Sequence, residues 1–514
     1  MDRYMKAEAG RKTWKEYCRK NRNQILFLGF FLLLAYGIKV FNLSISHDTE
    51  AIMAVPENLY DSWLQMGRFG EIVLKKLLGT YSINIYIASF MMVVSMMIVS
   101  ILCGYLFFLI SGNMEKIVLW IFGALFFTSM ISAEQAAFLL QSYEVTVAMA
   151  ILVVSQILYL DGLDKKQWYK LVLAAVCLML SFAVYQAMVV LYVAVAVMSY
   201  ILWYEGREDK IPLKEHFIYI GQVIALFLCA YLLYTLANKG LMFALKIETT
   251  PYITGQIAWK EQGFSACVLD IIKHVKKVLT GEGLFYTKAL PILMVLFVIR
   301  TVFMRKRDHY WLYVLAVLFL FICPFLMVIV LGGATTYRTE LNIPFVTAFL
   351  ACLVLEYFGK KKRALYGVLI FGIFVQCMHQ AQQTSRLFYT EYEKRQEDYM
   401  LATKITNRIE ELDADTSTLP VVFIGSRQSY GNKSCFPTSE LEMTGYSFFE
   451  VSFSTAHGTW VMQHYLETLG IDYIYPNQDQ MEAAEREAES MPGWPASGSV
   501  KKTDQVIIVK LSDI

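Results

Sequence analysis

The sequence predicts an α-helical polytopic membrane protein of about eleven transmembrane helices, with a small α/β domain at its C-terminal end. Three observations carry this. Of 514 residues, 56% are hydrophobic and only 18% charged, where an ordinary soluble domain carries about 25% charge. The apolar residues are gathered into long runs, several of them near the ~20 residues that a span requires. From His379 the composition turns polar, and short strand-like runs alternate with amphipathic ones. This composition excludes a disordered chain, a fibrous chain and a simple soluble enzyme. The balance of 46 basic and 44 acidic residues gives no global basicity for nucleic acid. The nine cysteines show no CxxC pair and no metal-ligand comb.

Residues 1–24 form a basic segment. The run after Gln24 is too long for a signal-peptide core, and no A-x-A site follows it. Apolar runs fall at 25–43, 84–110, 117–131, 145–160, 171–184, 187–204, 217–237, 289–303, 311–331, 345–358 and 364–378. The block Leu171–Tyr204 is too long for one helix and is split at Tyr185-Gln186. With the N-terminus inside, the inner segments hold Arg3 to Arg22, Lys116, Lys165, Lys166, Lys170, Arg207, Lys210, Lys214, Arg305 to Arg307 and Lys360 to Arg363. The short outer segments hold only Arg68, Lys75, Lys76 and Arg338. That bias puts the N-terminus in the cytoplasm and, with an odd number of spans, the C-terminus outside. The residues that span the bilayer thus lie within 25–378, and 379–514 is expected to be extracytoplasmic.

Two outer loops read as interfacial. In 44–83, Leu59, Trp63, Met66, Phe69, Val73 and Leu77 recur at helical spacing, with Asp61, Gln65, Arg68, Glu71 and Lys75 opposite. Such a helix lies at the bilayer surface with its polar stripe to water. In 238–288, DIIKHVKKVL is helix-like, Trp259 and Tyr252 suit headgroup depth, and Lys273, Lys276 and Lys277 suit anionic headgroups. Lys39, Arg300 and Glu356 lie near span ends, where long side chains snorkel. In the tail, 381–412 reads as a polar helix and 419–425 as a buried strand. A helix follows over 459–470, then a strand over 471–476, a helix over 478–491 and a strand over 506–512. His457 and His464 belong to this tail fold. No GxGxxG or P-loop marks a nucleotide site, and no cofactor or metal is evident.

The polar residues cluster on the outer side: His47, Asp48, Thr49, Glu50, Arg68, Glu134, Gln135, Tyr185, Gln186, Tyr337 and Arg338. Together with interfacial helices, they suit an enzyme working at the outer leaflet. An acid after the first span followed by interfacial helices resembles the GT-C class of glycosyltransferases. SHDTE (46–50) with GR (67–68), SAEQ (132–135), VYQ (184–186), GGATTYRT (332–339), FIG (423–425), PASGSV (495–500) and VIIVKLS (506–512) resemble the bacterial and phage O-antigen glucosyltransferase family.

The resemblance implies a membrane hexosyltransferase, a glucosyltransferase that takes its sugar from a polyprenyl-phosphate donor. The acceptor it implies is a cell-surface glycan, at the plasma membrane of a bacterium. It implies Asp48 and Glu50 as catalytic acids, either of which is the base. Arg338, Arg68 and Lys75 would hold the donor phosphate. Glu134, Gln135, Tyr185, Gln186 and Tyr337 would contact substrate. A polymerase or ligase using a lipid diphosphate, and a lipid or sugar flippase, are the alternatives.

Overall fold

The computed structural model describes residues 4–113, 118–207, 210–248, 255–304, 308–361, 363–437, 441, 443–450 and 453–513. Arg3, Lys116, Tyr252, Arg305, Lys306, Arg307 and Lys362, cited above, lie outside the described residues.

Every apolar run is met by helix. Among the described residues, eight helices are long and apolar enough to cross a membrane, or nine if one bent pair counts as a span. The shorter apolar helices Trp168–Val184 and Ala289–Phe303 occupy the two remaining runs. Local chemistry sets the ends. Asn84 caps the helix Ile85–Ser111 by accepting from the Ile87 N–H at 3.0 Å, and Gly112 closes it in the left-handed region. The long apolar block breaks at an extended Tyr185, so one helix ends at Val184 and the next begins at Ala187. Large apolar side chains such as Leu26, Phe30, Trp168, Leu228, Leu232 and Val295 remain exposed along these helices, as a bilayer requires.

The structure departs from the sequence reading where interior polar groups or breakers intervene. The third run is two helices, Leu119–Phe127 and Met130–Ala137, bent by 63°. Ser129 restarts the helix by accepting from the Ser132 N–H. The run 311–331 breaks at Pro324, which lacks the N–H that a continuous helix needs. The first outer loop holds three helices, Thr49–Ala54, Pro56–Gln65 and Phe69–Leu78, not one. The break between the last two is Gly67, at φ +75°. There is no step at His379 either: a single helix runs from Arg363 to Glu410, carrying the last apolar run straight into the polar tail. Lys39 and Arg300 do not snorkel. Lys39 is ion-paired with Glu391, and Arg300 with Glu205 at 2.7 Å, all within the protein.

The tail sheet has three strands in the order β1-β3-β2: β1 (Val421–Ile424), β2 (Val500–Lys502) and β3 (Ile507–Lys510). β3 runs parallel to β1 and antiparallel to β2. Alternation sorts the faces. Val421, Phe423, Ile507 and Val509 pack with Val461, Met462 and Leu466 of the helix Thr455–Thr468. Val422, Ile424 and Ile508 pack with Ala484 and Ala488 of the helix Gln478–Ala488 and with Met491 just beyond it. The expected strand 471–476 is absent. Its backbone serves the neighbouring helix instead: the Ile471 N–H donates to the Leu466 carbonyl, and Gln463 Nε2 donates to the Ile474 carbonyl.

Candidate functional site

The segment leaving the first span is pinned from three sides. At the end of that helix Lys39 pairs with Glu391, which also accepts from Ser44 Oγ at 2.7 Å. Arg395 Nε donates to the Ile45 carbonyl at 2.7 Å, and its guanidinium lies 3.7 Å from the Phe448 ring and pairs with Asp398. Ser46 Oγ donates to the Ala137 carbonyl at 2.5 Å. His47 Nε2 lies 3.1 Å from the Ser447 carbonyl, with its ring against Phe448. Held so, the chain turns at Asp48 with φ +68°, a conformation that asparagine and aspartate tolerate better than most residues. It still costs on the order of 1 kcal/mol, and such strain gathers at functional sites.

Asp48 and Glu50 therefore stand on a loop held by several contacts, in different surroundings. Asp48 is half-buried. Burial lifts its pKa, while Arg338 and His457 oppose that lift. Glu50 is fully buried, and neither of its oxygens has a hydrogen-bond partner among the described residues. Burial, and then the charge of Asp48, push Glu50 up to about 8. Burial thus favours a protonated Glu50, while Arg338 and His457 favour the charged form of Asp48.

Arg338 comes from the short turn Tyr337–Thr339, which packs on the helix Met130–Ala137. Its guanidinium lies 4.3 Å from the Phe138 ring. The structure thus draws Asp48, Glu50, Arg338 and the SAEQ helix together. Glu134 and Gln135 are buried in that helix, and burial, then Glu450 and Glu134, push the Tyr446 phenol up.

A second group forms where the Gly67-Arg68 turn meets the break at Tyr185. Arg68 Nε donates to Gln186 Oε1 at 3.0 Å, Gln186 Nε2 donates to the Met66 carbonyl at 2.9 Å, and Arg68 lies 5.1 Å from the Tyr185 ring. Gly70 permits the approach, since a Cβ there would meet the Ala183 carbonyl carbon at 2.7 Å. Lys75 was expected to face water beside Arg68. Instead it is buried in an ion pair with Glu144, with Glu71 alongside, so its ammonium is already committed. Tyr337 stacks on Phe285 at 3.8 Å and accepts from Lys277 Nζ at 2.9 Å. Lys277 is therefore turned toward the fold, while Lys273 and Lys276 are exposed. Trp259 lies against Gly332, where a Cβ would meet the indole at 2.8 Å.

Sequence reasoning missed the residues that hold this arrangement: Lys39, Glu391, Arg395, Asp398 and His457. The only available signal was the charge density of 391–398, which reads equally as a solvated helix face. Among the described residues, no group of three or more histidine, cysteine or acidic side chains could hold a metal ion.

A carboxylate beside a protonated acid and a guanidinium can take a proton from a hydroxyl while the cation stabilises a departing anion. A family model described as glucosyl transferase GtrII matches residues 37–355, more than half of the chain. The chain belongs to the glucosyl transferase GtrII family. No curated protein and no solved structure matches it. The GtrII match begins just before the pinned loop and includes Asp48, Glu50, Arg68 and Arg338. Glu391, Arg395, Asp398 and His457 lie beyond it. This GtrII-family protein is a membrane-bound glycosyltransferase with its acidic pair on a strained, clamped loop.

Glu50 gives a pH test. Its folded pKa of about 8 lies above its ordinary value of 4.5, so it favours the native state fully below 4.5. That contribution is lost as the pH rises through 8. Detergent-solubilised protein should lose on the order of a few kcal/mol of stability from pH 5 to pH 9 through this group. Glu50→Gln, neutral throughout, should flatten that slope in thermal unfolding. An unchanged slope in the variant would exclude Glu50 as its source.

Proposed function

We propose that this protein transfers a glucosyl or similar hexosyl group from a polyprenyl-phosphate donor to a cell-surface glycan, such as an O-antigen. The reaction takes place at the outer face of a bacterial plasma membrane. The observation that carries this reading is the placement of the half-buried Asp48, at a strained turn directly after the first span, beside the buried Glu50 and within the field of Arg338. Residues 1–24 are cytoplasmic, 25–378 carry the membrane-embedded catalytic part, and 379–514 are extracytoplasmic. Basic inner segments support this orientation.

The chemistry is short. Asp48 takes the proton of the acceptor hydroxyl as its oxygen bonds to the anomeric carbon. The bond from that carbon to the phosphate oxygen breaks, and the electron pair leaves with the phosphate. Arg338 faces the growing charge with a planar set of donors that matches phosphate oxygens. Arg68, steadied by Gln186 and Tyr185, is the second cation of the outer face. Glu134 and Gln135, on the helix packed against the turn Tyr337–Thr339, and Tyr337 within it would contact the substrate.

The test uses sealed spheroplasts carrying the donor, given an acceptor glycan that cannot cross the membrane. Wild-type protein should glycosylate it, and Arg338→Lys should lose about tenfold or more, because a point charge replaces a fork. Transfer only to acceptor enclosed inside would overturn the orientation. Full activity of Arg338→Lys with unchanged donor KM would overturn the phosphate assignment.

A further inference from the structure

The GtrII match ends at Leu355, yet the tail reaches back to the acidic pair. The helix Thr455–Thr468 packs directly against the helix Thr49–Ala54, whose N-cap is Asp48. His457 stands in the first turn of the tail helix, where its N–H donates to Ser454 Oγ at 3.1 Å. Its Nδ1 is buried and has no hydrogen-bond partner among the described residues. On its other side the Phe453 ring, 74% exposed, lies at 4.8 Å. The imidazole therefore lies within the field of the half-buried Asp48, on a helix packed against the one that Asp48 caps, and beside an exposed ring.

We propose that His457 takes the proton from Asp48 after each transfer and passes it to water, so that the C-terminal segment supplies part of the active site. This rests on the reading of Asp48 as the base. The balance requires such a route. A phosphodiester monoanion and a neutral hydroxyl become a glycoside, a phosphate monoester dianion and one proton. That proton sits on Asp48 when the sugar has moved. Asp48 must lose it before the next acceptor can be activated, and its half-buried position limits direct exchange with solvent.

A neutral imidazole with a free ring nitrogen is the side chain suited to this exchange near neutral pH. Burial lowers the pKa of His457, and Asp48 only partly restores it, so the ring is neutral and ready to accept. The other groups in its field are His47, with Arg395 and Lys394 behind it, and Arg338 beyond Asp48. His47 does not compete for the proton. Its ring is held against the Ser447 carbonyl, and burial together with Arg395 pushes it down to about 3.

The experiment uses the full-length protein in membranes, with abundance and thermal stability measured for each variant. His457→Ala should lower kcat about tenfold or more while donor and acceptor KM stay within about twofold. Added imidazole should restore part of the lost rate, which repair of a merely structural gap would not do. His457→Gln, which keeps the volume but cannot carry a proton, should be as slow as His457→Ala. Wild-type kcat in either variant would overturn the proposal. So would a loss confined to His457→Ala that imidazole does not relieve, because that pattern marks packing. Asp48→Asn separates the two readings. If it keeps its rate, the base assignment itself has failed. If it is inactive while His457→Gln is normal, only the proton route has failed.

Discussion

Replacing Asp48 by Asn is expected to cut the transfer rate by about 10²–10⁴-fold, the usual contribution of a general base. The protein should still insert, and donor KM should change little, because the amide keeps the shape of the carboxylate. The surroundings of the two acids explain why the loss falls on Asp48. Glu50 is sealed from water, and burial with the charge of Asp48 pushes its pKa up to about 8, which favours the protonated form, and a protonated carboxyl is a very weak base. Asp48 shares its burial in part but looks onto Arg338 and His457, which favour its charge. Burial still lifts its pKa, which makes it a stronger base than a solvated aspartate. Glu50→Gln should accordingly cost much less than Asp48→Asn. A near-normal rate for Asp48→Asn beside an inactive Glu50→Gln would move the base to Glu50. The readout is initial rate with purified lipid donor, normalised to protein in the membrane.

The membrane part was legible because lipid imposes a simple rule on sequence. Each span must be long, apolar and internally hydrogen-bonded, and so each of the eleven runs could be seen. The break at Tyr185-Gln186 was visible because a mostly apolar block of 34 residues, Leu171 to Tyr204, exceeds one bilayer crossing. What the runs could not show is which polar residue turns inward. Lys39 at the end of a span and Lys75 on an amphipathic stripe read as solvated, because helical period reports a face and not what packs on that face. Their partners, Glu391 and Glu144, lie 352 and 69 residues away along the chain.

The candidate site follows the same division. Asp48, Glu50 and Arg338 stood out as polar residues on short outer segments. His457 did not, since its place depends on the tail helix folding back across more than 400 residues to meet Thr49–Ala54. The tail sheet was legible in its two buried strands, where every residue is apolar or nearly so. It was misread at 471–476, where alternation of Ile and Tyr looks like a strand but the backbone hydrogen bonds go to a helix.

The buried pair of Lys39 and Glu391 gives the largest expected effect on stability. Both side chains are wholly enclosed, and Glu391 also fixes Ser44 at the root of the loop that carries Asp48. Removing one partner of a buried pair strands the other charge, at a cost of about 3–5 kcal/mol. Glu391→Ala should therefore unfold at markedly lower temperature or denaturant in detergent. Replacing the pair with apolar residues of similar size removes both the attraction and the desolvation cost, and such exchanges are often neutral or stabilising. The double variant Lys39→Met/Glu391→Leu should recover most of the stability that Glu391→Ala loses. It should not recover the transfer rate. Ser44 would have lost its acceptor, and the loop that sets Asp48 at φ +68° would be held by Arg395, Ser46 and His47 without its first anchor. Separate measurement of unfolding and of transfer distinguishes the two roles. If Glu391→Ala stayed within about 1 kcal/mol of wild type, the pair would not carry the energy that its burial implies. If the double variant regained full activity with its stability, Ser44 would not be an anchor of the site.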